Sequence, residues 1–248
     1  MTNPGGNSER GEGCAPADAR FGSLLAEVCE TLRELRSQGI NGFQCRPESL
    51  AVVEAWGEHP GGGRRERLED IRADLGQCTR CGLSAGRRHI VFGEGNPHAD
   101  LVFVGEGPGG DEDRSGRPFV GAAGQLLTRI IGAMGLSRDK VYICNIVKCR
   151  PPGNRNPLPD EIASCLPFLH RQLRAIAPRF VCVLGKVAAQ TLLETEAPIS
   201  RVRGRLHHVG DWNVLPTFHP AYLLRNPERK RDVWQDMQLL MREMKRRT

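Results

Sequence analysis

The sequence of 248 residues has no apolar run that approaches the roughly 20 residues needed for a membrane-spanning helix. Its N-terminus, Met-Thr-Asn-Pro-Gly-Gly-Asn, also lacks the charged and apolar regions of a signal peptide. We therefore expect a cytoplasmic protein that does not contact a membrane. The 39% hydrophobic content is enough for a sizeable core, and the length fits one globular domain with an appendage.

The nine cysteines do not indicate a disulfide framework, because their number is odd and the cytoplasm keeps thiols reduced. Cys78 and Cys81 form one close pair, and Cys149 and Cys165 form a widely spaced pair around a proline-rich loop. A zinc site usually has a second close pair, which is absent here, so an iron–sulfur cluster is favoured over zinc. Three cations lie nearby in sequence and are expected to offset thiolate charge: Arg80, Lys148 and Arg150.

The other cysteines have different expectations. Cys144 and Cys182 lie in apolar stretches and are predicted to be small core residues. Cys14, Cys29 and Cys45 lie near the N-terminus and have no visible partner.

The net charge of +6 is divided unevenly along the chain. Residues 1–70 hold 8 Lys and Arg against 12 Asp and Glu, whereas residues 71–248 hold 27 against 17. We expect residues 1–70 to be an acidic, partly disordered appendage with one amphipathic helix at Phe21–Ser37 and an unknown partner. The basic remainder is typical of a protein that binds a polyanion, although a solvated surface explains the charge equally well.

Strands and helices are predicted to alternate from about residue 99 onward. The apolar, β-branched run that begins at Ala99 and enters a glycine-rich turn ending at Gly110 predicts a buried strand, and a polar loop is expected at 111–118 before a helix at 120–134. Further strands are expected at 140–145, 179–184, 206–209 and 212–217. This alternation predicts a parallel sheet with helices on both faces.

Three polar side chains, Glu106, Asn145 and His219, fall where predicted strands end. Open α/β sheets usually bind ligands at that edge, so the three side chains are expected to share a cleft. Gly105-x-Gly107-x-x-Gly110 matches the dinucleotide-binding pattern formally, but the predicted loop delays the next helix, and no acidic ribose ligand lies near residue 130. A nucleotide cofactor is therefore not expected.

Four motifs, together with Cys78, Cys81, Cys149 and Cys165, resemble those of a known family. They are Gly105-Glu-Gly-Pro-Gly109, Asp113-Arg-Ser-Gly-Arg-Pro-Phe-Val-Gly121, Asn145-Ile-Val-Lys-Cys-Arg-Pro-Pro-Gly-Asn154 and His219-Pro-Ala-Tyr-Leu-Leu-Arg225. In this order they are similar to the motifs of family 4, the iron–sulfur-containing branch of the uracil-DNA glycosylase superfamily. The resemblance covers about Cys78 to Met241 and implies nothing about residues 1–70.

For residues 71–248 the resemblance implies a three-layer α/β/α fold around a four-stranded parallel sheet. It implies a monofunctional DNA repair enzyme that flips uracil out of DNA and hydrolyses its N-glycosidic bond, leaving an abasic site. It also implies a structural 4Fe–4S cluster on Cys78, Cys81, Cys149 and Cys165. We expect a monomer that acts on uracil-containing DNA, associated with a prokaryotic nucleoid.

The matched positions suggest roles in base release. Phe119 offers a face to the flipped base, and the Asn145 amide suits N3–H and O4 of uracil but mismatches cytosine. His219 is similar to the family histidine that hydrogen-bonds uracil O2, where negative charge grows in the transition state. Glu106 matches the family carboxylate, which positions or activates water and counters charge on the sugar. The backbone N–H of Gly107 is expected to contact the base.

Six residues are expected to contact DNA. Tyr222, Leu223, Leu224 and Arg225 would fill the gap in the duplex and hold phosphates, with helix packing as the alternative for the leucines. Arg203 and Arg205 would contact the backbone, with a solvated loop as the alternative. Two other functions remain open: a non-catalytic iron–sulfur protein of this fold that binds nucleic acid, and an electron-transfer protein.

Overall fold

The structure is a computed structural model that describes residues 66–246. These residues belong to one unit, which begins at Arg64. The expected appendage helix at 21–37 and Cys14, Cys29 and Cys45 lie outside the described residues. None of the described helices is long and apolar enough to cross a membrane.

Helices and strands alternate along the described chain. The strands are β1 (Glu94–Gly95), β2 (Leu101–Gly105), β3 (Tyr142–Asn145), β4 (Phe180–Leu184), β5 (His207–Val209) and β6 (Trp212–Thr217). The α-helices are α1 (Leu68–Leu75), α2 (Gly110–Ser115), α3 (Ala122–Ala133), α4 (Pro159–Ile176), α5 (Lys186–Leu193), α6 (Ile199–Val202), α7 (Pro220–Arg225) and α8 (Lys230–Arg246).

The strands form one sheet in the order β1-β3-β2-β4-β6-β5. The four central strands are parallel to one another, while β1 pairs antiparallel with β3 and β5 with β6 at the two edges. The expected four-stranded parallel sheet is thus confirmed as the centre of a mixed, six-stranded sheet. The two-residue strand β1 is too short to leave a recognisable pattern in the sequence.

Hydrophobic side chains cover both faces of the sheet. Along β2, Val102 and Val104 point into one core and Leu101 and Phe103 into the other, because successive side chains of a strand alternate in direction. Core residues on one side come from α1, α4, α5 and α6, and those on the other come from α3, α7 and α8. The expected three-layer α/β/α arrangement is therefore confirmed.

The expectation of a polar loop at 111–118 is wrong, since helix α2 begins at Gly110, immediately after the glycine turn. Although the segment is polar, it has three features that mark the ends of a helix. Acidic residues occupy its first turn, Glu112 accepts a hydrogen bond from the backbone N–H of Gly109 (3.1 Å), and Gly116 ends the helix at φ 70°. The expectation that the next helix begins late was therefore wrong, and it no longer argues against a dinucleotide-binding site.

Helix α1 spans the expected domain boundary at residue 70. It packs on α4, and Arg171 of α4 forms ion pairs with Glu66 and with Asp74. We accordingly place α1 with the α/β unit that begins at Arg64 rather than with the appendage.

Candidate active site and cysteine site

Parallel strands bring the expected site residues to one edge of the sheet. Gly105 at the end of β2 pairs with Asn145 at the end of β3, and β6 ends two residues before His219. A side chain at Gly105 would place its Cβ 2.5 Å from both Asn145 Oδ1 and the Phe119 ring. The rings of Phe119 and His219 lie 5.7 Å apart. Asn145, Phe119 and His219 therefore lie close together at this edge of the sheet, where they can line a pocket, and the absence of a side chain at Gly105 makes their close approach possible.

Asn145 supplies the clearest sign of a ligand in this pocket. Its side chain is 1% exposed, yet its Oδ1 has no hydrogen-bond partner in the described part of the chain. Buried side-chain oxygens are normally paired, because an unpaired one loses its hydration without compensation. The Asn145 Oδ1 is thus available to accept a hydrogen bond from a buried N–H donor.

His219 is held in one tautomer. Its Nδ1 caps helix α7 by accepting a hydrogen bond from the backbone N–H of Ala221 (3.1 Å), so the proton of a neutral ring must lie on Nε2. Burial lowers the pKa of His219 to about 4. At neutral pH the side chain is therefore an uncharged donor, and no residue within 66–246 accepts a hydrogen bond from its Nε2–H.

Glu106 follows β2 directly and is half-buried. Burial raises the pKa of its carboxyl, since desolvation disfavours the charged form. Its carbonyl accepts a hydrogen bond from Val147 N–H (3.1 Å), which extends the ladder beyond the strands. A Cβ at Gly107 would come within 2.8 Å of the Val147 side chain, so this close approach requires glycine.

Phe119 adopts a left-handed backbone conformation (φ 52°), which is unusual for a bulky residue. The carboxylate of Glu112 accepts hydrogen bonds from Val120 N–H (2.9 Å) and Gly121 N–H (3.0 Å) on one side of it. Arg138 donates to the carbonyls of Phe119 (3.1 Å) and Pro118 (2.8 Å) on the other. Sequence reasoning missed both anchors, although Glu112 stands at a helix-capping spacing from Gly109.

Helix α7 carries four of the residues that are expected to contact DNA, and these four differ in how far they are exposed. Leu223 is 1% exposed and packs in the core, so its helix-packing alternative describes this structure. Leu224 is 43% exposed. Tyr222 packs against Phe218 at 5.1 Å, and Arg225 lies at the helix end, where it is exposed.

Arg203 has partners inside the protein. Its guanidinium pairs with the buried Asp236 at 2.8 Å, bonds the Asp232 carbonyl and lies 5.1 Å from the Phe218 ring. These contacts hold the Arg203 guanidinium against helix α8 and Phe218. Arg205 is exposed.

The four expected ligand cysteines lie in segments that converge on one part of the fold. Cys149 is buried, and its Sγ accepts a hydrogen bond from Arg87 (3.4 Å), which also donates to the carbonyl of Cys78 (2.6 Å). The Sγ of Cys165 accepts one from the backbone N–H of Lys148 (3.3 Å). Electrostatic interactions link Cys149 and Cys165 with Cys81.

Cationic side chains lie near two of these cysteines. Arg80 interacts electrostatically with Cys78, and Arg87 opposes the effect of burial, which raises the pKa of Cys149 to about 11. Arg87 was missed in the sequence, whereas Arg150 bonds Asn154 and lies over Gly110. Within residues 66–246 no three His, Cys, Asp or Glu side chains converge on a single metal ion.

Cys144 and Cys182 are fully buried in β3 and β4. The expectation that they are core residues is confirmed.

The sequence was compared with families and proteins of known function. A family model described as "Uracil DNA glycosylase superfamily" matches residues 92–238. A type-4 uracil-DNA glycosylase of Thermotoga maritima is 46% identical over 71% of this chain and 93% of its own length. The type-4 uracil-DNA glycosylase of Archaeoglobus fulgidus is 44% identical over 69% of this chain and 90% of its own.

A type-5 uracil-DNA glycosylase of Pyrobaculum aerophilum is more distant. It is 32% identical over 54% of this chain and 67% of its own length. The similarity to the type-4 proteins is therefore both higher and more complete.

Proposed function

Because this chain belongs to the type-4 family of the uracil-DNA glycosylase superfamily, we propose that it removes uracil from DNA by hydrolysing the N-glycosidic bond. The observation that carries this proposal is the buried, unpaired Oδ1 of Asn145 in the pocket with Phe119 and His219. A base inside a duplex cannot reach such a pocket, so the enzyme must extrude it.

Asn145 provides base selection. Its Oδ1 accepts the N3–H of uracil, whereas cytosine has no hydrogen on N3 and would leave this oxygen unpaired. Phe119 gives the base an aromatic face. We also propose that the backbone N–H of Gly107 contacts the base.

His219 stabilises the leaving base. As the bond between N1 of uracil and C1′ of the sugar breaks, its electron pair moves onto the base and negative charge develops at O2. The Nε2–H of neutral His219 donates to that oxygen, and the bond strengthens as the charge grows. Water supplies the hydroxyl group that bonds C1′, and the remaining proton of that water neutralises the departing uracil anion.

Glu106 acts on the opposite side of the reaction. Its carboxylate orients the water and balances the positive charge that develops on the sugar. The raised pKa of Glu106 makes it a better proton acceptor than an exposed glutamate.

We propose that Cys78, Cys81, Cys149 and Cys165 hold a 4Fe–4S cluster. The set of four sulfurs with flanking guanidinium groups at Arg80 and Arg87 supports this proposal. The cluster would have a structural role, joining the segment before β1, the loop after β3 and helix α4.

We further propose that α7 meets the DNA. The exposed Leu224 fills the gap left by the flipped base, while Tyr222, Arg225 and Arg205 contact the strand nearby. The basic composition of residues 71–248 supports binding to DNA, and we propose that the protein acts as a monomer on nucleoid DNA.

The experiment compares wild-type protein with Asn145→Ala and Asn156→Ala on an oligonucleotide that contains one uracil. We expect Asn145→Ala to lower kcat/KM by about 100-fold or more, the scale seen when one transition-state contact is removed. Asn156 is exposed and outside the pocket, so Asn156→Ala is expected to retain wild-type activity. Normal cleavage by Asn145→Ala would contradict the assignment of the pocket.

A further inference from the structure

Lys148 is one of the largest fully buried side chains in the described part of the protein, with 1% of its surface exposed. Lysine is rarely buried unless its charge is paired. Its position is also unusual, because it lies three residues after Asn145 and directly before Cys149. Lys148 therefore lies in the sequence between Asn145, whose side chain is proposed to bind uracil, and Cys149, a proposed cluster ligand.

The side chain of Lys148 contacts the main chain of Asn145. Its Nζ donates a hydrogen bond to the Asn145 carbonyl at 2.7 Å. Asn145 is the last residue of strand β3, and its side chain extends toward Gly105 and Phe119. Fixing this peptide fixes the direction of the Cα–Cβ bond from which the side-chain amide of Asn145 extends.

The main chain of Lys148 is held as well. Its N–H donates to Sγ of Cys165 at 3.3 Å, and its carbonyl accepts a hydrogen bond from Val91 N–H at 2.8 Å. Lys148 thus joins Cys165 to Asn145 through two hydrogen bonds within one residue.

In the described part of the chain, no carboxylate balances the charge of Lys148. Among residues 66–246, no Asp or Glu forms an ion pair with it, and the buried Glu161 and Asp236 pair with arginines elsewhere. Its electrostatic neighbours are the sulfurs of Cys144 and Cys165. Ligated thiolates would supply the negative charge that a buried ammonium requires.

We propose that Lys148 is a positioning residue that couples the cysteine site to base reading. The cysteine site holds Lys148, and the Lys148 ammonium holds Asn145 in the orientation that accepts the uracil N3–H. This inference rests on the proposed release of uracil, but it assigns Lys148 a role that is separable from that activity.

The test uses Lys148→Met, which preserves side-chain length and the backbone bond to Cys165 but removes the ammonium. Lys140→Met is the control, since Lys140 is exposed and precedes β3. The readouts are kcat, KM, the inhibition constant for free uracil, and affinity for DNA without uracil.

We expect Lys148→Met to lower kcat and weaken inhibition by free uracil, each by about tenfold or more, because a charge-assisted hydrogen bond is lost. DNA affinity and KM are expected to stay within about twofold of wild type, because no DNA contact changes. Unchanged inhibition by uracil would overturn the proposal.

A double substitution separates positioning from a general effect on folding. If Lys148 acts through Asn145, adding Lys148→Met to Asn145→Ala causes no further loss of kcat. An additive loss would overturn the proposal. Wild-type protein that releases no uracil would instead refute the proposed function.

Two further measurements keep the test decisive. Iron loss to a chelator is expected to be faster in Lys148→Met than in Lys140→Met, and equal rates would contradict the link to the cysteines.

If Lys148→Met does not fold, Lys148→Gln removes the charge and keeps a donor. Weaker inhibition by uracil in that variant supports the proposal, and wild-type inhibition overturns it.

Discussion

At the pocket edge, burial acts on Glu106 and His219 in opposite directions. It raises the pKa of the Glu106 carboxyl above its usual 4.5 and lowers the pKa of His219 to about 4. Both shifts have one cause, because desolvation disfavours an anionic carboxylate and a cationic imidazole alike. As the pH falls, Glu106 therefore takes up its proton before His219 does.

This order of protonation predicts the pH dependence of uracil release. The acid limb of kcat/KM in wild-type protein is expected to follow Glu106 and to lie above pH 4.5. In Glu106→Gln the remaining activity is expected to decline only near the His219 pKa of about 4. Values of kcat/KM measured across the acid range check this. An acid limb at the same pH in both proteins would contradict the role of Glu106.

Individual site residues were recognisable in the sequence where they follow a strand. Glu106, Asn145 and His219 could be grouped because the ends of parallel strands share an edge. The His219 tautomer and the unpaired Asn145 oxygen depend on a helix cap and on burial, which no local pattern encodes. Lys148 was visible only as a charge near a cysteine, and Arg87 was missed.

At the scale of elements, helix α7 places two adjacent leucines in different surroundings. Leu223 faces the core and Leu224 faces outward. Leu223→Ala is expected to lower the free energy of unfolding by about 2–5 kcal/mol, the usual effect of deleting a buried leucine side chain. Leu224→Ala is expected to leave stability within about 0.5 kcal/mol of wild type.

The same pair tests the contact with DNA. Leu224→Ala is expected to reduce uracil release from duplex DNA more than from single strands, because only a duplex leaves a gap to fill. Chemical denaturation and parallel assays on the two substrates measure both effects. Equal losses on the two substrates would remove Leu224 from the proposed role.

The elements themselves were predicted best where they are apolar. Strands β2, β3, β4 and β6 and the helix at 186–193 follow from β-branched runs and helical spacing. Helix α2 was missed because it has almost no apolar residues, and its ends are set by Glu112 and Gly116. The left-handed Phe119 was also unpredictable, since it is imposed by Glu112 and by Arg138 from a distant segment.

At the scale of the whole molecule, the cysteine site ties together segments far apart in sequence. Cys78 precedes the sheet, Cys149 follows β3 and Cys165 lies in α4. A ligand shared by these segments would stabilise the folded chain against the unfolded one.

Cys149→Ala is therefore expected to lose iron and to unfold at a lower temperature than wild type. Cys182→Ala is the control, because Cys182 is a buried core thiol away from these segments. Its iron content is expected to stay at the wild-type level. Iron analysis and thermal unfolding of both variants check this, and full iron content in Cys149→Ala would contradict the assigned ligand set.

The central claim is that the pocket of Asn145, Phe119 and His219 releases uracil from DNA. Its most direct measurement is the product formed by wild-type protein from a strand that contains one uracil. We predict free uracil and an abasic site in equal amounts, with the strand left uncut. Binding of the strand without release of uracil would contradict the account and would support a non-catalytic nucleic-acid-binding protein.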